Sequence, residues 1–214
     1  MKKLRLLPIL ALTAALVLPG GAAFAQDESA DPSPAAEETA DDARLTELEA
    51  LVPPALAGLP LDENLQLATG EELATVMSPE EAAVLGDMLE ANGATIEDYA
   101  AATTWLPITD TDVVVLQAHR VTGVDASQTV DAWVEILSMG MTEPQAKEGF
   151  IAGRAVTLVS DAAQPEVPLV HLYPIFDVMW MIVAADQALV EEAVNTVTPE
   201  DETSEEATET EADA

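Results

Sequence analysis

Apolar side chains recur every three or four residues in several stretches of the chain, a spacing that predicts amphipathic helices. Two of these stretches begin with a capping-box pattern, in which Thr69 precedes Glu72 and Ser78 precedes Glu81. Asp125 is the expected N-cap residue of a further stretch. The predicted helices cover residues 45–52, 69–77, 78–92, 125–140 and 186–197.

Alternating or uninterrupted apolar residues lie between these helices and predict β-strands. In the stretch 113–121, the apolar start and the polar finish at Gln117, His119 and Arg120 predict a strand that runs from the core to the rim. The stretch 150–159 is expected to form a tight hairpin around residues 152–153. The other predicted strands are 61–68, 99–106, 167–176 and 178–184.

This order of elements predicts an α+β fold, with an antiparallel sheet of about five or six strands and helices packed mainly on one face. The strand at 178–184 is apolar at every position, which indicates that parts of both sheet faces are covered. Four aromatic residues are expected to fill the core between sheet and helices rather than to line a ligand groove. They are Trp105, Tyr173, Phe176 and Trp180.

The N-terminal residues predict export. Three basic residues lie among the first five, an apolar run covers residues 6–18, and Ala23-Phe24-Ala25 places small residues before a cleavage site between Ala25 and Gln26. We therefore expect a signal peptide at 1–25 and a secreted, periplasmic or cell-envelope location. No later stretch is as apolar as a membrane-spanning helix requires, so no transmembrane helix is expected in the mature chain.

Acidic segments flank the expected domain. Residues 26–42 and 199–214 are rich in carboxylates and have few large apolar side chains, so we expect a disordered linker and a disordered tail around a single domain at 43–198. Removal of both segments should barely change folding stability. The whole chain has 40 acidic and 7 basic residues and a formal net charge of −33, which disfavours nucleic acid as a partner.

Few residues offer candidate chemistry. His119 and His171 are the two histidines, and with Asp177 or Asp110 they could bind Zn²⁺. The chain has no short-range pair of histidines of the kind found in zinc motifs, no G-x-S-x-G or S-x-x-K motif and no cysteine. We therefore expect the histidines to be structural side chains, and we predict no catalytic residue, no metal and no cofactor.

These observations favour a non-enzymatic, exported binding or interaction module with a protein or small-ligand partner. One alternative is an extracytoplasmic hydrolase with a site near His119 and His171, which requires both rings to share a cleft with a carboxylate. Another alternative is weak binding of divalent cations by the acidic tails.

Overall fold

The computed structural model describes residues 40–109 and 112–198. Their α-helices are α1 (Ala40–Leu51), α2 (Gly70–Val76), α3 (Pro79–Ala91), α4 (Val130–Met139) and α5 (Gln187–Val197). Their strands are β1 (Ala55–Leu56), β2 (Leu59–Pro60), β3 (Gln66–Thr69), β4 (Tyr99–Pro107), β5 (Val113–Val121), β6 (Pro144–Ile151), β7 (Arg154–Asp161), β8 (Val170–Ile175) and β9 (Val178–Val183).

Seven of these strands form one antiparallel sheet in the order β3-β4-β5-β9-β8-β7-β6, while β1 and β2 form a small separate hairpin. Helix α4 leads the chain from β5 to the far edge of the sheet, and the meander from β6 to β9 returns it to the side of β5. The predicted α+β class is confirmed. The main sheet has seven strands rather than five or six.

Helices cover both faces of the sheet. Helices α2, α3 and α4 pack on one face, around Leu85, Trp133 and Met179. Helices α1 and α5 pack on the other face, around Leu48 and Val194. The expectation of helices mainly on one face is therefore wrong, because β9 is apolar on both sides and each side requires a covering layer.

The predicted helix starts agree with the structure. The hydroxyl oxygen of Thr69 accepts a hydrogen bond from the backbone N–H of Glu72, and Ser78 does the same for Glu81. In both pairs the glutamate side chain accepts a hydrogen bond from the backbone of the capping residue. These capping boxes fix the beginnings of α2 and α3. Helix α3 ends at Ala91, and Gly93, two residues later, has a φ of +72° in the left-handed region that follows many helix ends.

Several predicted boundaries are wrong. Residues 62–64 form a 3-10 turn, so β3 is shorter than the strand expected at 61–68. Strand β6 begins at Pro144, six residues before the predicted hairpin, because an exposed edge strand has no apolar alternation to reveal it. Helix α1 begins at Ala40 rather than near residue 43.

The direction expected for β5 is also wrong. Val113 at its start is 45% exposed, whereas Gln117 and His119 near its end are 3% and 5% exposed. Strand β5 lies between β4 and β9 in the middle of the sheet, and its second half is covered by helices. The buried polar residues therefore lie in the interior rather than at the rim.

Several expectations concern residues outside the described ranges: the signal peptide with its cleavage between Ala25 and Gln26, the acidic linker before residue 40, the acidic tail after residue 198, and Asp110. Within 40–109 and 112–198, no helix combines the length and the apolar character needed to cross a bilayer.

Candidate functional site

His119 lies in β5 on the face covered by α2, α3 and α4, with Ala101 and Met179 as its register partners in β4 and β9. Its Nδ1 is 2.5 Å from the hydroxyl oxygen of Tyr99. The centre of its ring lies 4.1 Å from the centre of the Trp133 ring. Its Nε2 is buried and has no hydrogen-bond partner among the described residues.

Burial decides the protonation of this cluster. Removal from solvent lowers the pKa of His119 to about 3 and raises the pKa of Tyr99 well above its usual value. Both groups are therefore neutral near pH 7. His119 is 5% exposed and its ring packs against Trp133, so the ring fills part of the core on this face of the sheet.

His171 lies on the opposite face of the sheet. Its register partners are Leu158 in β7 and Ile182 in β9, and both belong to the face covered by α1 and α5. Its Nδ1 is 3.2 Å from the carbonyl oxygen of Ile182, and burial lowers its pKa. Because the sheet separates the two histidines, His119 and His171 cannot share a cleft. These residues do not meet the geometric requirement of the hydrolase alternative.

Asp177 lies in the turn between β8 and β9, where it forms an ion pair. Its Oδ2 accepts a hydrogen bond from Nε of Arg120 at 2.7 Å. Nη1 of the same arginine donates to Oε2 of Glu47 in α1 at 2.9 Å. Asp177 therefore anchors the turn to β5 and, through Arg120, to α1. Across the described part of the chain, no three His, Asp or Glu side chains gather in an arrangement suited to a metal ion.

A shallow groove lies between α2 and α3 and has a volume of about 340 Å³. Its lining is apolar except for Glu90 and Thr95. The Oγ1 of Thr95 already donates to Asp98 at 2.9 Å. The groove therefore offers a ligand few polar contacts that could fix its orientation.

Two hairpin turns lie at the same end of the main sheet. Strands β7 and β8 pair antiparallel at 157–159 and 170–172, so the β6–β7 turn at 152–153 and the β8–β9 turn at 176–177 lie at that one end. An exposed phenylalanine lies at each hairpin end. Phe150, in β6 just before the first turn, is 76% exposed, and Phe176, in the second turn, is 61% exposed. They are the two most exposed large apolar side chains in the described ranges.

Two smaller apolar residues lie near the phenylalanines. Ala155 is exposed and pairs with Phe150 in the register of β6 and β7. The partly exposed Pro174 precedes Phe176 by two residues in β8. We call Phe150, Ala155, Pro174 and Phe176 the hairpin-end surface. Aromatic residues are enriched in the cores of protein–protein interfaces.

Backbone geometry holds these turns in uncommon conformations. Ala152 has a φ of +50° and Phe176 a φ of +53°, in the left-handed region that favours glycine. The carbonyl oxygen of Phe176 accepts a hydrogen bond from the backbone N–H of Ala126 at 2.8 Å. Together with the Arg120–Asp177 pair, this bond fixes the turn that carries the aromatic ring. Strained residues of this type cluster at functional sites.

The expectation that Phe176 fills the core is wrong, whereas Tyr173 and Trp180 are buried as expected. Trp105 is partly buried. Phe176 is the first residue of a two-residue turn, so the chain reverses at this position and its side chain is not directed into either core. The nearby Asp177 was the available signal, since aspartate is typical of turns.

No match to this chain was found among protein-family models, curated proteins or solved structures.

Proposed function

We propose that this chain is an exported, non-enzymatic interaction module that binds a protein partner through the hairpin-end surface. The observation that carries this proposal is the exposure of Phe150 and Phe176 at the same end of the sheet, where Phe176 has a left-handed backbone conformation. Burial of a phenylalanine side chain contributes about 1.5–3 kcal/mol, so two such rings at the centre of an interface form a strong anchor.

The charge of the chain supports a partner of basic character. A formal net charge of −33 attracts basic protein surfaces and repels nucleic acid and anionic membranes. The hairpin-end surface itself is apolar, so charge guides the encounter and the phenylalanines supply contact area. The N-terminal pattern at 1–25 supports the exported location.

The positions of the histidines favour binding over hydrolysis. His119 is enclosed against Tyr99 and Trp133, and His171 lies across the sheet from it. Neither ring is placed to share a substrate cleft with a carboxylate. The hairpin-end surface, by contrast, is accessible and carries the two most exposed large apolar side chains of the described ranges.

Photo-crosslinking in the producing cells tests this proposal. A photoreactive phenylalanine analogue replaces Phe150 or Phe176, and Val76, which is 36% exposed on α2, is the control position. We expect one basic protein to crosslink from positions 150 and 176 and not from 76. With that protein purified, Phe150→Ser and Phe176→Ser should each weaken binding at least about tenfold, as expected for central aromatic residues, while Val76→Ser leaves it unchanged.

Three results would contradict the proposal. One is equal crosslinking from position 76. Another is binding of the chain to zwitterionic phosphatidylcholine vesicles that depends on the two phenylalanines, because the ligand would then be a membrane. The last is robust turnover of generic esterase, phosphatase, glycosidase or peptidase substrates by the purified chain, which would establish an enzyme.

A further inference from the structure

Strand β6 is the longer and more exposed edge of the main sheet. It has eight residues, of which Ile151 alone is buried and Gly149 is partly buried. The opposite edge strand, β3, has four residues, each at least partly buried. In the described part of the chain, no other strand pairs with the outer side of β6. Its outward backbone groups can therefore accept a further strand.

The charges of β6 disfavour pairing along its full length with a second copy of this chain. Two identical strands pair antiparallel about a twofold axis, so the residue at the axis lies opposite its own copy. An axis at the middle of β6 places Lys147 opposite Lys147, or Glu148 opposite Glu148. Like charges directly opposite each other destabilise a strand pair. A strand with a different sequence avoids this repulsion.

We propose that β6 binds an extended segment of a basic partner protein as the eighth strand of the sheet. This inference rests on the proposed function, and it names the element and the backbone geometry that the partner uses. The added strand continues the sheet next to Phe150, so its side chains and the hairpin-end surface form one contact area.

The register assigns a chemistry to the partner segment. Ala146 pairs with Val159 and Phe150 pairs with Ala155, so Ala146, Glu148 and Phe150 lie on the face covered by α2, α3 and α4. A matching strand has a basic residue opposite Glu148, with apolar residues two positions away on either side. On the other face, an acidic or polar residue lies opposite Lys147. The strongly acidic chain as a whole favours a segment with net positive charge.

Crosslinking along β6 tests this inference in the full chain. The photoreactive analogue replaces Gln145 or Lys147, with the exposed Glu63 in the turn before β3 as the control position. We expect positions 145 and 147 to crosslink partner residues about two positions apart along one extended segment, since paired strands have the same rise per residue. Position 63 should crosslink nothing.

Charge reversal provides a second measurement. A synthetic peptide with the sequence of the crosslinked segment is titrated into the chain and into two variants, Glu148→Lys and Glu63→Lys. We expect Glu148→Lys to weaken binding about fivefold, the upper range for one cross-strand charge pair. Glu63, exposed in the 3-10 turn before β3, carries the same charge change away from β6 and should have little effect.

Four outcomes of these experiments would overturn the proposal of an added strand. Crosslinks from 150 and 176 without crosslinks from 145 and 147 would refute the added strand and leave the proposed function standing. Absence of crosslinks at all positions would refute both. A crosslink to a second copy of the chain, with a mass that doubles as concentration rises, would show self-pairing. Equal weakening by Glu148→Lys and Glu63→Lys would show general charge attraction without a paired strand.

Discussion

The buried His119 predicts a specific dependence of stability on pH. In the folded chain its pKa is lowered to about 3 by burial, while an exposed histidine has a value of 6.5. Below pH 6.5 the unfolded chain therefore binds a proton that the folded chain does not. Stability is present in full above this value and is lost as the pH falls from 6.5 towards about 3.

The magnitude follows from the size of the pKa difference. Each pH unit in this window costs about 1.4 kcal/mol, so the folded chain should lose about 2 kcal/mol between about pH 7.5 and pH 5 from His119 alone. The pKa of His171 is also lowered by burial and acts in the same direction. A variant must therefore separate the two histidines.

Replacement of His119 with glutamine provides this separation, because its side-chain oxygen can still accept a hydrogen bond from Tyr99 and it does not titrate. Urea unfolding, monitored by tryptophan fluorescence at constant ionic strength, gives the free energy of unfolding at each pH. We expect His119→Gln to lose about 2 kcal/mol less than the unaltered chain over this range. His171→Gln is the matched control and keeps the His119 contribution.

Equal pH slopes for the unaltered chain and His119→Gln would refute this reasoning. An NMR titration that shows the His119 ring protonating near pH 6.5 in the folded chain would refute it as well, because the ring would then be hydrated.

Three further predictions use other residues. Phe176→Gly should raise the free energy of unfolding by about 1 kcal/mol, because glycine adopts a φ of +53° without strain. The same change removes the exposed ring and should weaken partner binding. A loss of stability in chemical denaturation would contradict the first expectation. Trp133→Ala should lower the free energy of unfolding by about 3–5 kcal/mol and Leu189→Ala by about 1–2 kcal/mol, because Trp133 is 1% exposed and Leu189 is only partly buried. Equal losses for the two variants in chemical denaturation would contradict the assigned packing. Hydrogen bonds, of which the largest contribution comes from the backbone of Thr142, lower the pKa of Asp161 from 3.8 to about 2. Asp161→Asn should therefore remove folding stability that the unaltered chain has above pH 3.8, and it should reduce the loss of stability as the pH falls from 3.8 towards 2. Thermal melts across this pH range measure both effects.

The predictions that succeeded rest on local chemistry. Capping boxes at Thr69 and Ser78 mark helix starts because donor and acceptor are three residues apart in the sequence. The apolar strand at 178–184 correctly indicated cover on both faces, because every position alternates between two buried surfaces. These signals do not depend on distant parts of the chain.

The predictions that failed depend on neighbours far apart in the sequence. Strand β6 has few apolar residues, and it forms because β7 supplies hydrogen-bond partners along its whole length. Gln117 and His119 are buried because β9, about sixty residues later, pairs with β5. The opposite-face placement of the two histidines depends on the register of β5, β9 and β8 together. The hairpin-end surface arises in the same way, because the antiparallel pairing of β7 with β8 places two hairpin turns at the same end of the sheet.

The central position of β9 has a consequence for how the sheet is assembled. It is the last strand in the chain, yet it lies between β5 and β8 and joins the half made of β3, β4 and β5 to the half made of β6, β7 and β8. A chain that emerges N-terminus first, from a ribosome or a translocation channel, can form both halves but cannot connect them until residue 183 is free. During that interval β5 and β8 each expose an unpaired apolar edge, which is the kind of surface that aggregates or recruits chaperones. A truncation before residue 178 should therefore yield two unjoined half-sheets, and the chain commits to its native sheet only near the end of its synthesis.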